Sequence, residues 1–172
     1  SVKKVAVLDR TKECGASGEP LYNDICSAII ENDLNIKVIG GRYGLGGKEF
    51  NPAHVYAVYQ NLVNETPKNH FTVGINDDVT NTSLALPNFE ILDDDCYDLK
   101  FYGLGSDGTV SANKNSIKII SQLESKYVQA YFEYDSKKSG SLTTSHLRLS
   151  NKPINKPYKA LHHDFIAIHN FT

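Results

Sequence analysis

The chain has 172 residues, a formal net charge of -2, 40% hydrophobic and 22% charged residues. This composition is that of an ordinary folded protein and excludes wholesale disorder. No apolar stretch approaches the ~20 residues that a membrane span needs. The three widely spaced cysteines form neither a disulfide framework nor a CxxC metal site. We therefore expect a cytoplasmic protein with no membrane or nucleic-acid partner.

Two features predict that the chain is part of a longer polypeptide with two different halves. It lacks Met and begins directly before a strand pattern. Residues 1–95 carry 8 Lys/Arg and 14 Asp/Glu, whereas residues 96–172 carry 10 and 6. Such charge asymmetry predicts different partners for the two halves. We place a domain boundary at this point, giving domains 1–95 and 96–172.

The first half alternates strand and helix patterns. Apolar runs predict strands at 5–8, 36–39 and 71–75. A helix is expected from Pro20, with Leu21, Ile25 and Ile29 at helical spacing. A second helix is expected from Pro52, with Asn51 as its N-cap. This alternation is typical of a parallel sheet with covering helices.

The second half repeats the alternation. Strands are predicted at 99–102, 128–134, 143–149 and 165–168, with a helix beginning near Thr109. The predicted fold class is therefore α/β: two consecutive β/α units with mainly parallel sheets, of which the second is incomplete.

A glycine-rich turn lies between the strand at 99–102 and the helix near Thr109. Gly103, Gly105 and Gly108 satisfy the G-x-G-x-x-G pattern. Glycines allow a tight turn and a close approach of the backbone to a ligand, and N–H groups at a helix start attract phosphate. Ser106 and Thr109 could donate hydroxyl hydrogen bonds to the same anion. Lys114 could reach a second phosphate, with Lys137 and Lys138 nearby.

Three interpretations of this turn remain open. It could be a structural strand-to-helix connection that binds nothing. A dinucleotide site would need an acidic residue about 20 positions later, and Glu133 and Asp135 come somewhat late for that, with the basic Lys137 and Lys138 beside them. A polyphosphate ligand such as coenzyme A suits the basic surroundings better than NAD.

Other motifs carry weaker hypotheses. The segment Gly40–Lys48 is glycine-rich and is interpreted as a flexible connection, with anion binding or subunit docking as alternatives. The polar turn Asn76–Thr82 contains possible Mg²⁺ ligands but is more typical of a capped turn. No catalytic triad, carboxylate pair or activated Cys can be argued from spacing, so we predict no catalytic residue and no metal ligand.

Several segments resemble pyruvate:ferredoxin (flavodoxin) oxidoreductase, of the 2-oxoacid oxidoreductase family. They occur in the family's order and cover most of the chain: KKVAVLDRTKECGASGEPLY (3–22), GGRYGLGGKEF (40–50), HFTVGINDDVTNTSL (70–84), YGLGSDGTVSANKNSIKII (102–120) and YFEYDSKKSGSLTTSHLRLS (131–150).

The resemblance implies a large homodimeric enzyme of anaerobic metabolism that converts pyruvate and coenzyme A to acetyl-coenzyme A and CO₂. Thiamine diphosphate, with Mg, would serve the decarboxylation, and 4Fe-4S clusters would pass the electrons to ferredoxin or flavodoxin. These cofactors are implied to be held by other domains, so the chain alone is expected to be inactive.

The resemblance also implies identities for the two domains. Residues 1–95 would be part of a transketolase C-terminal-like domain, and residues 96–172 the beginning of a gamma domain linked with coenzyme A. The implied coenzyme A-binding residues are Gly103, Gly105, Ser106, Asp107, Gly108, Thr109, Lys114 and Asn115. The alternatives are a stand-alone dinucleotide-binding module and a structural domain for subunit contact.

Overall fold

The computed structural model describes residues 2–77, 79–91, 95–123, 125–135 and 140–170. The chain divides into two compact units, residues 1–91 and residues 92–172. We call them the first and the second unit. Asp78, Lys137 and Lys138, which the sequence hypotheses involve, lie outside the described residues.

The first unit is a three-stranded parallel sheet with two helices. Its elements are β1 (Lys4–Asp9), α1 (Pro20–Glu31), β2 (Lys37–Tyr43), a 3₁₀ turn (Leu45–Gly47), α2 (Pro52–Val63) and β3 (Phe71–Val73). The strands pair in the order β1-β2-β3, and both pairings are parallel. The predicted N-cap of α2 is confirmed, because Oδ1 of Asn51 accepts hydrogen bonds from the N–H groups of Ala53 and His54.

The core of the first unit lies between its sheet and α2. Its buried residues are Ile39, Ala57, Val58, Phe71 and Val73. Phe71 is fully buried, and a Cβ at Gly41 would lie 2.3 Å from its ring. Gly41 is therefore the residue that lets this ring pack against the backbone of β2.

In its described residues, the second unit contains a four-stranded sheet and one helix. Its elements are β4 (Cys96–Leu104), α3 (Thr109–Leu123), β5 (Tyr127–Tyr134), β6 (Leu142–Ser150) and β7 (Phe165–Ile168). The strand order is β5-β6-β4-β7. The predicted α/β class is confirmed for the chain as a whole.

The second sheet is mixed, whereas the sequence predicted a mainly parallel one. β6 runs antiparallel to both β4 and β5, and β7 runs parallel to β4. The cause is the connection 135–141, which is too short for the crossover of a dozen or more residues that parallel strands require. Strands joined this closely form an antiparallel hairpin. The parallel pair β4–β7 is the one that positions the glycine-rich turn.

Candidate functional site

The glycine-rich turn lies where two parallel strands end side by side. β4 ends at Leu104 and leads through the turn into α3, while β7 ends at Ile168, which pairs with Tyr102. In α/β sheets, ligands bind in the crevice outside the carboxyl ends of parallel strands. The second unit thus places the predicted turn at the edge of the sheet where such a crevice is expected.

Gly103 allows α3 to begin in contact with β4. A Cβ at this position would lie 2.6 Å from Oγ1 of Thr109 and 2.8 Å from Oδ2 of Asp107. Both distances are shorter than a real Cβ contact, so the site accepts only glycine without a rearrangement. The absence of a side chain at Gly103 therefore lets the turn pack against the start of α3.

Asp107 holds the turn together with its carboxylate. The N–H of Leu104 donates to Oδ2 at 2.7 Å, and the N–H of Thr109 donates to Oδ1 at 2.8 Å. These two backbone bonds, that of Leu104 first, lower the pKa of Asp107, and the Thr109 hydroxyl and the charge of His169 act in the same direction. The carboxylate is therefore ionised near neutral pH, at a helix end that favours negative charge. Two N–H groups that a phosphate could have used are already bonded to it.

Residues 104–107 form a β-turn. The N–H of Asp107 donates to the carbonyl of Leu104 at 3.1 Å, and the N–H of Gly105 donates to the carbonyl of Ser141 at 2.7 Å. Ser106, the third residue of the turn, has φ 76° and an exposed side chain. A non-glycine residue in this left-handed region is strained. Ser106 thus presents its hydroxyl to solvent from a backbone conformation that glycine would adopt more easily.

Backbone donors remain at the start of α3. In any α-helix, the N–H groups of the first turn have no acceptor within the helix. Asp107 bonds that of Thr109, and no described side chain bonds those of Val110 and Ser111. Gly108, which precedes the helix with φ 89°, has no side chain that could do so. These two N–H groups are the donors available to an anion here.

The predicted basic residues are not gathered around the turn by the described part of the chain. The ammonium of Lys114 lies 5.1 Å from the ring centroid of Phe132, a cation–π contact with β5. Asn115 is exposed and lies about 9 Å along the helix from Thr109. Of the eight predicted site residues, the structure brings Gly103 to Thr109 together and places the other two further along α3.

His169 is a residue of this site that the sequence reasoning missed. It directly follows β7, and its Nδ1 lies 2.7 Å from Oγ1 of Thr109. Its backbone N–H donates to the carbonyl of Tyr102 at 3.0 Å. The sequence did predict the strand before His169, but only the pairing of β7 with β4 places this histidine beside a turn 60 residues away.

The other candidate motifs form local structure. The carboxylate of Asp77 accepts hydrogen bonds from the N–H groups of Val79, Thr80 and Thr82, which closes the polar turn. Hydrogen bonds from the hydroxyl and the N–H of Thr80, and from the hydroxyl and the N–H of Thr82, lower the pKa of Asp77. Within the ranges that the structure describes, no three His, Cys, Asp or Glu side chains are placed to share a metal ion.

The first unit contains a buried ionic group outside the predicted site. Glu19 is fully buried, with Oε2 2.9 Å from Nδ1 of His70 and Oε1 3.7 Å from Nε of Arg42. Burial raises the pKa of Glu19, but the hydrogen bond from His70 and the charge of Arg42 outweigh it, so the pKa is lowered overall. This group ties the start of α1 to β2 and to the start of β3.

None of the described helices is long and apolar enough to cross a membrane.

Comparison with known proteins connects this chain with one family. A family model described as "Pyruvate ferredoxin/flavodoxin oxidoreductase" matches residues 98–171. The pyruvate:ferredoxin oxidoreductase of Moorella thermoacetica is 57% identical over 171 residues, which is 99% of this chain and 15% of that protein. The pyruvate-flavodoxin oxidoreductase of Nostoc sp. is 55% identical over 185 residues, with 99% and 15% covered. The probable pyruvate-flavodoxin oxidoreductase of Escherichia coli K12 is 53% identical over 175 residues, with 98% and 15% covered.

These matches confirm the resemblance inferred from the sequence. The chain spans about 15% of the length of the relatives it matches. Its second unit carries the match to the family model, and the identity of more than half extends over both units. Residues 98–171 therefore contain a domain of the pyruvate ferredoxin/flavodoxin oxidoreductase family, and the chain as a whole is similar to a small part of such enzymes.

Proposed function

We propose that this chain works as part of a larger cytoplasmic, homodimeric enzyme that converts pyruvate and coenzyme A to acetyl-coenzyme A and CO₂ and passes electrons to ferredoxin or flavodoxin. Within that enzyme, the second unit contributes to the binding of coenzyme A, and the chain alone has no turnover. The observation that carries the proposal is the position of the glycine-rich turn, at the joint carboxyl end of β4 and β7 and at the start of α3.

The groups around the turn suit a phosphate of coenzyme A on the outer side of the helix start. The N–H groups of Val110 and Ser111 and the exposed hydroxyl of Ser106 are donors that no described side chain occupies. The carboxylate of Asp107 repels an anion from the inner side of the turn. The phosphate is therefore expected over the first turn of α3 and outside the loop.

Lys114 and Asn115 belong to the same proposal as residues further along the ligand. Coenzyme A is long and carries phosphates at separate positions, so contacts one to two helical turns apart are compatible with it. Lys114 would have to leave the ring of Phe132 to reach a phosphate, which costs the cation–π contact. We expect Lys114 to contribute to the affinity for coenzyme A without being its main determinant.

The resident cofactors of the enzyme are proposed to lie on other parts of the polypeptide. A 4Fe-4S cluster needs four Cys ligands, and this chain has three, at Cys14, Cys26 and Cys96. The residues here therefore do not fit a cluster on their own, and thiamine diphosphate and Mg are likewise proposed to bind elsewhere. Residues 1–95 are proposed as part of the transketolase C-terminal-like domain and residues 96–172 as the beginning of the gamma domain.

A structural role for the second unit is the second candidate. It is favoured by Asp107, which already occupies two N–H groups of the turn, and by Lys114, which packs on Phe132. A stand-alone dinucleotide module is less compatible with the contacts. The carboxylate of Glu133, a possible ribose ligand, is bound to His146 and Lys159 instead.

Titration of the ¹⁵N-labelled chain with coenzyme A tests the proposal. We expect chemical-shift changes centred on the amides of 105–111 and a severalfold loss of affinity in Lys114→Ala. Lys118→Ala is the matched control, because Lys118 is an exposed lysine one turn later on the same helix. Absence of shift changes at millimolar coenzyme A would favour the structural role, and shifts with NAD alone would favour the dinucleotide module.

A further inference from the structure

The imidazole of His169 is held in one position by the second unit. Its backbone N–H is bonded to the carbonyl of Tyr102, and its Nδ1 lies 2.7 Å from Oγ1 of Thr109. Its ring meets that of Phe101 edge-on, with centroids 6.4 Å apart. β4 and α3 therefore fix both the backbone and the ring orientation of an otherwise exposed residue.

The contact with Thr109 uses one ring nitrogen and leaves the other for solvent. Thr109 is only 5% exposed, so its hydroxyl contacts the imidazole on the protein side of the ring and not from solvent. Among the described residues, Nε2 of His169 has no hydrogen-bond partner. A histidine whose Nδ1 is bonded presents Nε2 in a defined direction, as metal- and substrate-binding histidines do.

The surroundings of the ring allow its second nitrogen to donate to an anion. His169 lies close enough to Asp107 to affect the pKa of that carboxylate, and the Thr109 hydroxyl interacts with both side chains. An imidazole whose Nδ1 accepts a hydrogen bond from the Thr109 hydroxyl carries a proton on Nε2, which it can donate to an external acceptor.

Two buried polar atoms next to the start of α3 give a separate indication that a polar molecule binds here. Oγ1 of Thr143 and Nδ2 of Asn113 have no hydrogen-bond partner among the described residues, and the two residues are 4% and 5% exposed. Thr143 pairs with Gly103 across β6 and β4, and Asn113 lies one turn after Thr109 on the same face of α3. Buried polar atoms are rarely left without a partner, so a water or ligand atom is expected next to the turn.

We propose that His169 is a ligand-contacting residue of this site, whose Nε2 donates a hydrogen bond to a phosphate group of coenzyme A, and that Thr109 is the positioning residue that orients its ring. This inference rests on the proposed function, and it adds the residue that follows β7 to the proposed coenzyme A site. The phosphate then lies between two elements, α3 and the residue after β7, and the sequence motif supplies only the first of them.

Calorimetric titration of the full 172-residue chain with coenzyme A tests the role of His169. We expect His169→Ala to weaken binding about tenfold, the loss of one charge-assisted hydrogen bond. His162→Gln is the control, because it changes another exposed histidine of the second unit. Thr109→Ser keeps the hydroxyl and should bind like the wild type, whereas Thr109→Val should resemble His169→Ala.

A spectroscopic readout separates contact from a purely structural role. In the ¹⁵N spectrum of the imidazole rings, coenzyme A should shift Nε2 of His169 and leave the His162 ring unchanged. With 3′-dephospho-coenzyme A, an unchanged tenfold effect of His169→Ala assigns the contact to the pyrophosphate, and a lost effect assigns it to the 3′-phosphate. Both outcomes support the proposal.

The two proposals fail in different ways. If the wild type does not bind coenzyme A, both are overturned. If the wild type binds and His169→Ala, with an unchanged amide spectrum elsewhere, binds equally well, only the role of His169 is overturned. His169→Gln, which retains an amide donor near the position of Nε2, guards against loss of β7 pairing in the alanine variant and should bind better than it.

Discussion

Replacement of Asp107 by Asn tests whether the glycine-rich turn depends on a charged carboxylate. In the wild type, the two carboxylate oxygens accept from two different N–H groups, of Leu104 at 2.7 Å and of Thr109 at 2.8 Å. The Asn side chain has a single acceptor oxygen, so Asp107→Asn can retain only one of these bonds. It also removes the negative charge from the start of α3.

The magnitude follows from the two lost contributions. Removal of a side chain that caps a helix start costs about 0.5–2 kcal/mol, and the charge–dipole interaction of an exposed group adds about 0.3–1 kcal/mol. Because one bond survives, we expect a loss of about 1–2 kcal/mol in the free energy of unfolding of the second unit at pH 7. For a unit of about 80 residues this corresponds to a fall of roughly 5–10 °C in Tm.

The pH dependence gives the decisive comparison. The pKa of Asp107 is lowered in the folded state, so its stabilisation is complete above the ordinary value of 3.8 and is lost as the pH falls through the folded value. Amide hydrogen exchange in α3, measured for both proteins from neutral to acid pH, should show a difference in stability that shrinks as the pH falls below 3.8 and through the lowered pKa of Asp107. A difference that stays constant over the whole acid range would refute the role of the charge.

Three further substitutions are expected to change the stability of the second unit, measured as its Tm and its free energy of unfolding. Gly103→Ala should destabilise the second unit by about 1–3 kcal/mol, because its Cβ would lie 2.6 Å from Oγ1 of Thr109; an unchanged Tm would contradict this packing. Arg148→Met should cost about 3–5 kcal/mol, because Arg148 is 5% exposed and its loss leaves Asp98 without its guanidinium partner at 2.8 Å; a loss below 1 kcal/mol would show that water replaces it. Ser106→Gly should stabilise the unit by about 0.5 kcal/mol, since relief of the left-handed strain exceeds the added chain entropy of glycine, and a lower Tm would show that the Ser side chain has a partner.

The order and type of the elements could be predicted from local patterns. Apolar and alternating patterns predicted the seven strands found among the described residues, and the pairs Glu19-Pro20 and Asn51-Pro52 predicted two helix starts at the residues where the structure has them. The mixed pairing of the second sheet was not predicted, because alternation of strand and helix suggests parallel strands whatever the loop length. The seven residues between β5 and β6 contained the information, since loop length decides between hairpin and crossover.

The candidate site was predictable only in its continuous part. The segment from Gly103 to Thr109 is one turn, and its pattern is visible in the sequence. His169 is brought to it by strand pairing across 60 residues, which no local pattern encodes. Lys114 was predicted from its distance along the helix, but the aromatic ring of Phe132 on β5 attracts its ammonium. Long side chains follow the nearest favourable partner, and that partner depends on the tertiary structure.

The conformation of Ser106 bears on the choice between a structural and a ligand-binding turn. A turn that only connects β4 to α3 would be most stable with glycine at φ 76°, as at Gly108, where φ is 89°. Ser106 bears a strained backbone and, among the described residues, its hydroxyl has no hydrogen-bond partner within the protein. A strained backbone conformation that no contact within the protein stabilises is typical of residues that contact a ligand. The hydroxyl of Ser106, the open N–H groups of Val110 and Ser111, and Nε2 of His169 are then donors that face solvent around one helix start. Asp107 does not contradict this arrangement, because its carboxylate fills the inside of the turn and leaves the outer donors to an anion.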